Sequence, residues 1–186
     1  MKFDASERQV LFVRTLLALL LIAVAAAVRV APHPWNFTPI GAMALFSGAV
    51  VRDRRLAFLF PLLALLVGDI FVGMHKLMFV VYASFAVNIA IGLWLRDHRT
   101  IGRISLATFG GAVQFFLVTN FAVWVYFDTF PKTLAGLGTC YLTALPLFWN
   151  TLAGDAVYAA LLFGGYALAG RYLQASEPVA GASHGD

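Results

Sequence analysis

At 186 residues and a net charge of +4, the chain is long enough for one domain. Hydrophobic residues make up 61% of it and charged residues 12%, against roughly 25% charged in ordinary soluble domains. With a mean hydropathy of +0.84, this balance excludes a soluble globular domain and implies an all-α integral membrane protein. The basic excess then reads as a topology signal in short loops, not as a nucleic-acid footprint. The single cysteine, Cys140, rules out an internal disulfide and any Cys-based metal cluster.

Apolar runs set against the roughly 20 residues that a span needs predict six transmembrane helices, at about 10–31, 36–51, 56–74, 77–95, 104–126 and 143–170. The first follows Lys2, Arg8 and Arg14 and contains Ala25-Ala26-Ala27, the layout of a secretory signal. Its apolar run from Val10 to Val30 has span length, which favours a retained helix. Pro32, Pro34 and Pro39 break the chain into an outer loop, HPWNFTP. The second run is short and rich in small residues, and on length alone fits a re-entrant loop. Pro61 falls in the first turns of the third helix, where proline costs least. Between the fifth and sixth helices, Pro131 to Leu142 reads as a longer outer connection, with Pro146 opening the last helix. Residues 176–186 are Gly/Ala/Ser-rich and read as a disordered cytoplasmic tail, leaving 1–175 as one transmembrane domain.

Charge orients the bundle and settles the second run as a span. With both termini cytoplasmic, six crossings place ten of the thirteen Lys and Arg residues inside. Only Arg29, Lys76 and Lys132 fall outside. If the second run failed to cross, Arg52-Asp53-Arg54-Arg55 would move outside and the asymmetry would collapse.

Two Gly-Asp pairs, Gly68-Asp69 and Gly154-Asp155, interrupt these apolar runs. A carboxylate within a span is costly, by roughly 2.5–3.5 kcal/mol on insertion scales, and normally faces a bundle interior or cavity. The predicted orientation puts Asp69, Tyr82, Asn120, Trp124, Asn150 and Asp155 in the outer halves of their helices, at the depth of Trp35, Asn36 and Thr38. Polar groups in lipid must find partners, so five elements presenting them at one depth imply a shared polar pocket opening outward. Asn120 and Trp124, four apart, share a helix face, as do Thr151 and Asp155. Asn150 and Asp155, five apart, lie about 140° around the helix and are not expected to face one ligand. The expected substrate-binding set is Asn36, Asp69, Tyr82, Asn120, Trp124, Thr151 and Asp155. A purely structural alternative is that the aspartates orient helices through interhelical hydrogen bonds. No metal site and no cofactor is expected.

The segments PHPWNFTPIGAMALF, RLAFLFPLLALLVGDIFVGMH, VYASF, FFLVTNFAVWV and FPKTLAGLGTCYLTALPLFWNTLAGDAVYAALLFGGY resemble an uncharacterised family of small bacterial inner-membrane proteins. Members are described as similar to the substrate-specific (S) components of energy-coupling-factor (ECF) transporters. The resemblance implies a six-helix S-component-like bundle that captures a vitamin or metal on the extracytoplasmic side. It also implies partnership with an ECF coupling protein and two ATPases. The chain has no GxxxxGK[ST] loop, so any ATP hydrolysis must come from such partners. S components often dock through an AxxxA pattern in the first helix. Ala23 and Ala27 match its letters but lie in the outer half, at the wrong depth for cytoplasmic docking. Gly165 and Ala169, in the inner half of the last helix, offer a small-xxx-small face instead.

The resulting expectation is a substrate-binding membrane subunit for small-molecule uptake. The alternatives are a stand-alone proton-coupled carrier and a non-transporting accessory subunit. No HExxH, GxSxG or recognisable Cys/His pairing points to an enzyme.

Overall fold

The computed structural model describes residues 5–30 and 34–175. The expected tail at 176–186, Lys2 and His33 lie outside the described residues, as do the side chains of Arg8, Arg14 and Arg29. The described chain is all-helical and holds six helices: α1 (Ala5–Val30), α2 (Ile40–Val50), α3 (Arg54–Val72), α4 (Met78–Trp94), α5 (Ile101–Tyr126) and α6 (Leu134–Ala175).

Two boundaries depart from the expected spans. Helix α2 has 11 residues, because the chain turns at residues 34–37 and Pro39 stands at the N-cap. At 1.5 Å per residue it is only about 16 Å long. Helix α6 has 42 residues and begins at Leu134, so Pro146 lies inside it and residues 134–142 are not a loop. Tertiary contacts explain the early start. Tyr141 donates its hydroxyl to the Leu117 carbonyl (2.8 Å), and the Cys140 thiol reaches the Asn120 carbonyl (3.5 Å), docking this stretch on α5. Thr133 caps the new N-terminus by accepting from the Gly136 N–H (3.1 Å). One proline removes one backbone hydrogen bond, which this anchoring offsets.

Helix α2 is the centre of the bundle. Every residue from Ala42 to Ala49 is buried, the pattern of a helix enclosed on all sides. Its small residues allow α4 to approach backbone to backbone. A Cβ at Gly48 would lie 2.1 Å from the Ile89 carbonyl oxygen, and one at Gly92 would lie 2.1 Å from that of Leu45. Close approach through glycine is how helices pack tightly in apolar surroundings. On other faces of α2, Phe46 meets Phe163 and Tyr166 of α6 edge-on. Ser47 donates to the Ala57 carbonyl of α3 at 2.8 Å.

Cationic groups gather at the end of the bundle where α2 and α4 terminate. Arg96 donates to the carbonyls of Gly48 (3.0 Å), Val51 (2.5 Å) and Arg52 (3.0 Å). A cation there satisfies C-terminal carbonyls and complements the helix dipole of α2. It also ties the α4–α5 loop to the α2–α3 loop, so that Arg96 stands at the same end of the bundle as Arg52, Arg54 and Arg55.

The exterior is unusually apolar. Phe12, Leu16, Leu20 and Val24 are exposed in one line along α1, and Leu59, Leu63, Val67 and Ile70 form another along α3. Two helices, Ile101–Tyr126 and Leu134–Tyr172, are long and apolar enough to cross a membrane by length and composition.

Candidate functional site

A cavity of about 450 Å³ opens at the end of the bundle away from the arginines, between the start of α2 and the middles of α4, α5 and α6. It begins beneath the loop that enters α2. That loop turns tightly, with the Phe37 N–H bonded to the Pro34 carbonyl (3.0 Å). Asn36 takes the left-handed conformation at φ 62°, which asparagine tolerates better than most residues. Helix α6 holds the loop in place: Asn150 donates to the Trp35 carbonyl at 3.0 Å, and Tyr158 packs on Phe37. Gly154 lets the loop rest directly on the helix, since a Cβ there would come within 3.1 Å of the Thr38 nitrogen.

The next residue, Asp155, is buried and lines the cavity. Its Oδ1 accepts from the Ala42 N–H at 3.0 Å. Pro39 gives α2 no side-chain cap of its own, so a carboxylate 113 positions away supplies one. The carboxylate lies flat on Gly41, where a Cβ would sit 2.4 Å from Oδ1. Each half of the second Gly-Asp pair therefore has a separate task. Gly154 seats the loop, and Asp155 closes the helix N-terminus while facing the cavity.

Asn88 of α4 lies at the same inner end, where a narrow crevice continues between Asp155 and Gly111. It is buried, and its Oδ1 has no hydrogen-bond partner among the described residues. Gly111 leaves room for the amide, since a Cβ there would lie 2.8 Å from Oδ1. One wall is aromatic: Phe85 and Phe115 stack with ring centroids 5.0 Å apart, and both line the cavity. His75 stands at the exposed rim.

The seven expected binding residues are divided among three places. Asn36, Thr151 and Asp155 line the cavity. Asp69 and Tyr82 do not; they bind each other, with the Tyr82 hydroxyl donating to Asp69 Oδ2 at 2.9 Å. Asn120 donates back to the Phe116 carbonyl within its own helix (2.8 Å), and Trp124 donates to the Pro131 carbonyl (2.9 Å). Only Trp124 braces the α5–α6 connection. Asn150 and Asp155 point to different partners, as their 3.6-residue geometry requires. No described neighbour comes within 4 Å of a Cβ built on Gly165, so Gly165 makes no close packing contact among the described residues. Asn88 escaped the sequence reading, although a lone amide in the run YASFAVNIAIG carries the same signal as the aspartates. Gly41 and Gly111 gave no signal, because only tertiary structure shows what lies against them.

A family model described as a family of unknown function (DUF6580) matches residues 9–177, and the chain belongs to that family. No curated protein and no solved structure matches it.

Proposed function

From this member of a family of unknown function, we propose a multi-pass protein of the bacterial inner membrane that binds a small molecule in its cavity from the outer face. We assign it the role of substrate-binding subunit in an uptake transporter of the S-component kind. The observation that carries the reading is the cavity itself: about 450 Å³, with Asp155 and the unpartnered Asn88 buried at its inner end, opposite the arginine cluster. Ligand sites have this volume and this composition, mostly apolar with a few polar groups converging. The membrane reading draws support from the apolar lines along α1 and α3 and from the length of α5 and α6. Lipid accepts such a surface, whereas monomers in water seldom expose one so large. The arginine end then faces the cytoplasm, and the cavity faces out. Helix α2 is too short to cross alone and is joined to the outer face by the turn at residues 34–39.

The test is uptake and ligand retention by the full chain. Native mass spectrometry after gentle purification should find a small molecule bound. Asp155→Asn should insert normally but lose both ligand and uptake. Wild-type uptake by that variant would sink the proposal. Recovery of a coupling protein and ATPases with the tagged chain would support the ECF-type mechanism, while uptake that persists without an ATPase but collapses with an uncoupler would replace it with proton coupling. A second reading follows from the Asp155–Ala42 bond: the carboxylate acts only as a cap for α2, in an accessory subunit that carries nothing. It requires that no ligand be retained and that Asp155→Asn, which keeps an acceptor for Ala42, be silent.

A further inference from the structure

We infer that the cavity takes a compact organic cation, a protonated amine or similar N–H-bearing group held at Asp155 and Asn88 with a flat apolar body against Phe85 and Phe115. This rests on the ligand-binding reading above and names the class of molecule bound. Three features of the site converge on it.

The first is charge. In its ionised form Asp155 carries a full negative charge, and the N-terminus of α2, on which it sits, contributes only about half a positive one. The described lining contains no Lys or Arg, and His75 stands at the rim. An ionised Asp155 leaves the inner end net negative within mostly apolar walls, where an unpaired charge is costly and a bound cation favours the ionised form.

The second is hydrogen-bond polarity. Asp155 commits Oδ1 to Ala42, and Oδ2 has no hydrogen-bond partner among the described residues. Asn88 Oδ1 is likewise unpartnered, on a residue only 2% exposed. Asp155 Oδ2 is an acceptor that an N–H of the occupant fills, and the Asn88 amide, whose Nδ2 is also without a hydrogen bond among the described residues, stands beside it. An ammonium group carries three donors and no acceptor. Two glycines keep the acceptors in position: Gly41 lies under the carboxylate and Gly111 beside the amide.

The third is the wall. The stacked Phe85 and Phe115 rings offer a flat surface to a planar body, and ring faces attract cations. A bare metal ion fits less well. No group of three or more His, Cys, Asp or Glu side chains able to hold one occurs among the described residues. Calcium takes six to eight oxygen ligands, and zinc takes three or four protein ligands.

The experiment uses the full chain in lipid nanodiscs and three probes that share one indole ring: tryptamine (cationic), tryptophol (neutral) and indole-3-acetate (anionic). Binding is read as thermal stabilisation and by isothermal titration. Tryptamine should bind about tenfold or more tightly than tryptophol, as loss of one charge-assisted hydrogen bond implies, and indole-3-acetate should not bind. Asp155→Asn should bring tryptamine down to the affinity of tryptophol. Asn88→Leu should weaken tryptamine severalfold. Equal or tighter binding of tryptophol or indole-3-acetate by the wild-type protein overturns the inference without needing any variant to fold. Identifying the species retained through purification separates the two proposals. A neutral or anionic retained molecule overturns the cation assignment and leaves ligand binding standing. No retained molecule, together with no binding of any probe, overturns both.

Discussion

Replacing Gly92 with alanine tests whether the α2–α4 contact is as close as the backbone geometry indicates. The added Cβ would lie 2.1 Å from the Leu45 carbonyl oxygen and 3.0 Å from the Gly48 Cα. Ordinary contact begins near 3.4 Å, so the two backbones would have to part by about 1.3 Å. No flexible side chain is available to yield, since these neighbouring atoms are backbone. Overpacking typically costs about 1–3 kcal/mol, and rigid neighbours on a fully buried helix place this case in the upper half, at about 2–3 kcal/mol. In a chain of this length each kcal/mol lowers the melting temperature by about 2–4 °C, so the fall should be about 4–12 °C. The assay is thermal unfolding of the purified full chain in one detergent, followed by tryptophan fluorescence at a fixed scan rate. Gly110→Ala on α5 is the control, because a Cβ there meets nothing within 4 Å. A Gly92→Ala protein that melts with Gly110→Ala would refute the backbone-to-backbone packing of α2 on α4.

Four further outcomes follow from named contacts. Asp155→Ala leaves the Ala42 N–H without its partner and should cost about 1–3 kcal/mol in thermal unfolding, whereas Asp155→Asn keeps an acceptor and should stay close to wild type. Asn88→Leu removes a buried acceptor that has no partner, so stability should hold or rise while ligand retention falls, the reverse of an ordinary core lesion. Tyr82→Phe deletes the hydroxyl that donates to Asp69 and should lower stability by about 1–2 kcal/mol, with ligand binding unchanged because neither residue lines the cavity. Arg96→Met loses contacts to three carbonyls at the end of α2 and should destabilise by about 1.5–3 kcal/mol, as measured by the detergent midpoint of unfolding.

Much of the helix inventory was legible because apolar run length is a one-dimensional signal. The places where it misled are those where another part of the chain intervenes. Pro146 looked like a helix start, since proline is most at home there, yet Cys140 and Tyr141 docking on α5 carries the helix back to Leu134. The run 36–51 looked like a short span, yet Pro39 and the Pro34–Phe37 turn leave only its last part helical. For the site, an unusual polar residue in an apolar run was an effective pointer to burial, and both aspartates are buried. It was a poor pointer to which of them share a cavity. Helical spacing separated Asn150 from Asp155 correctly, because both lie on one rigid element. It could not separate Asp69 from Asp155, because their partners come from other helices.

The sequence by itself determined that this chain is all-helical, that its basic residues favour one end, and that Asp69 and Asp155 are exceptional. Composition, run length and charge placement are properties of the chain read in order, and they survive any arrangement of the helices. Tertiary structure alone decided that α2 is the enclosed centre, that Asp69 is joined to Tyr82, and that Asp155 shares a cavity with Asn88. Those outcomes depend on which backbones approach closely enough to touch. That is set by glycines such as Gly41, Gly92 and Gly111, whose importance is the absence of an atom.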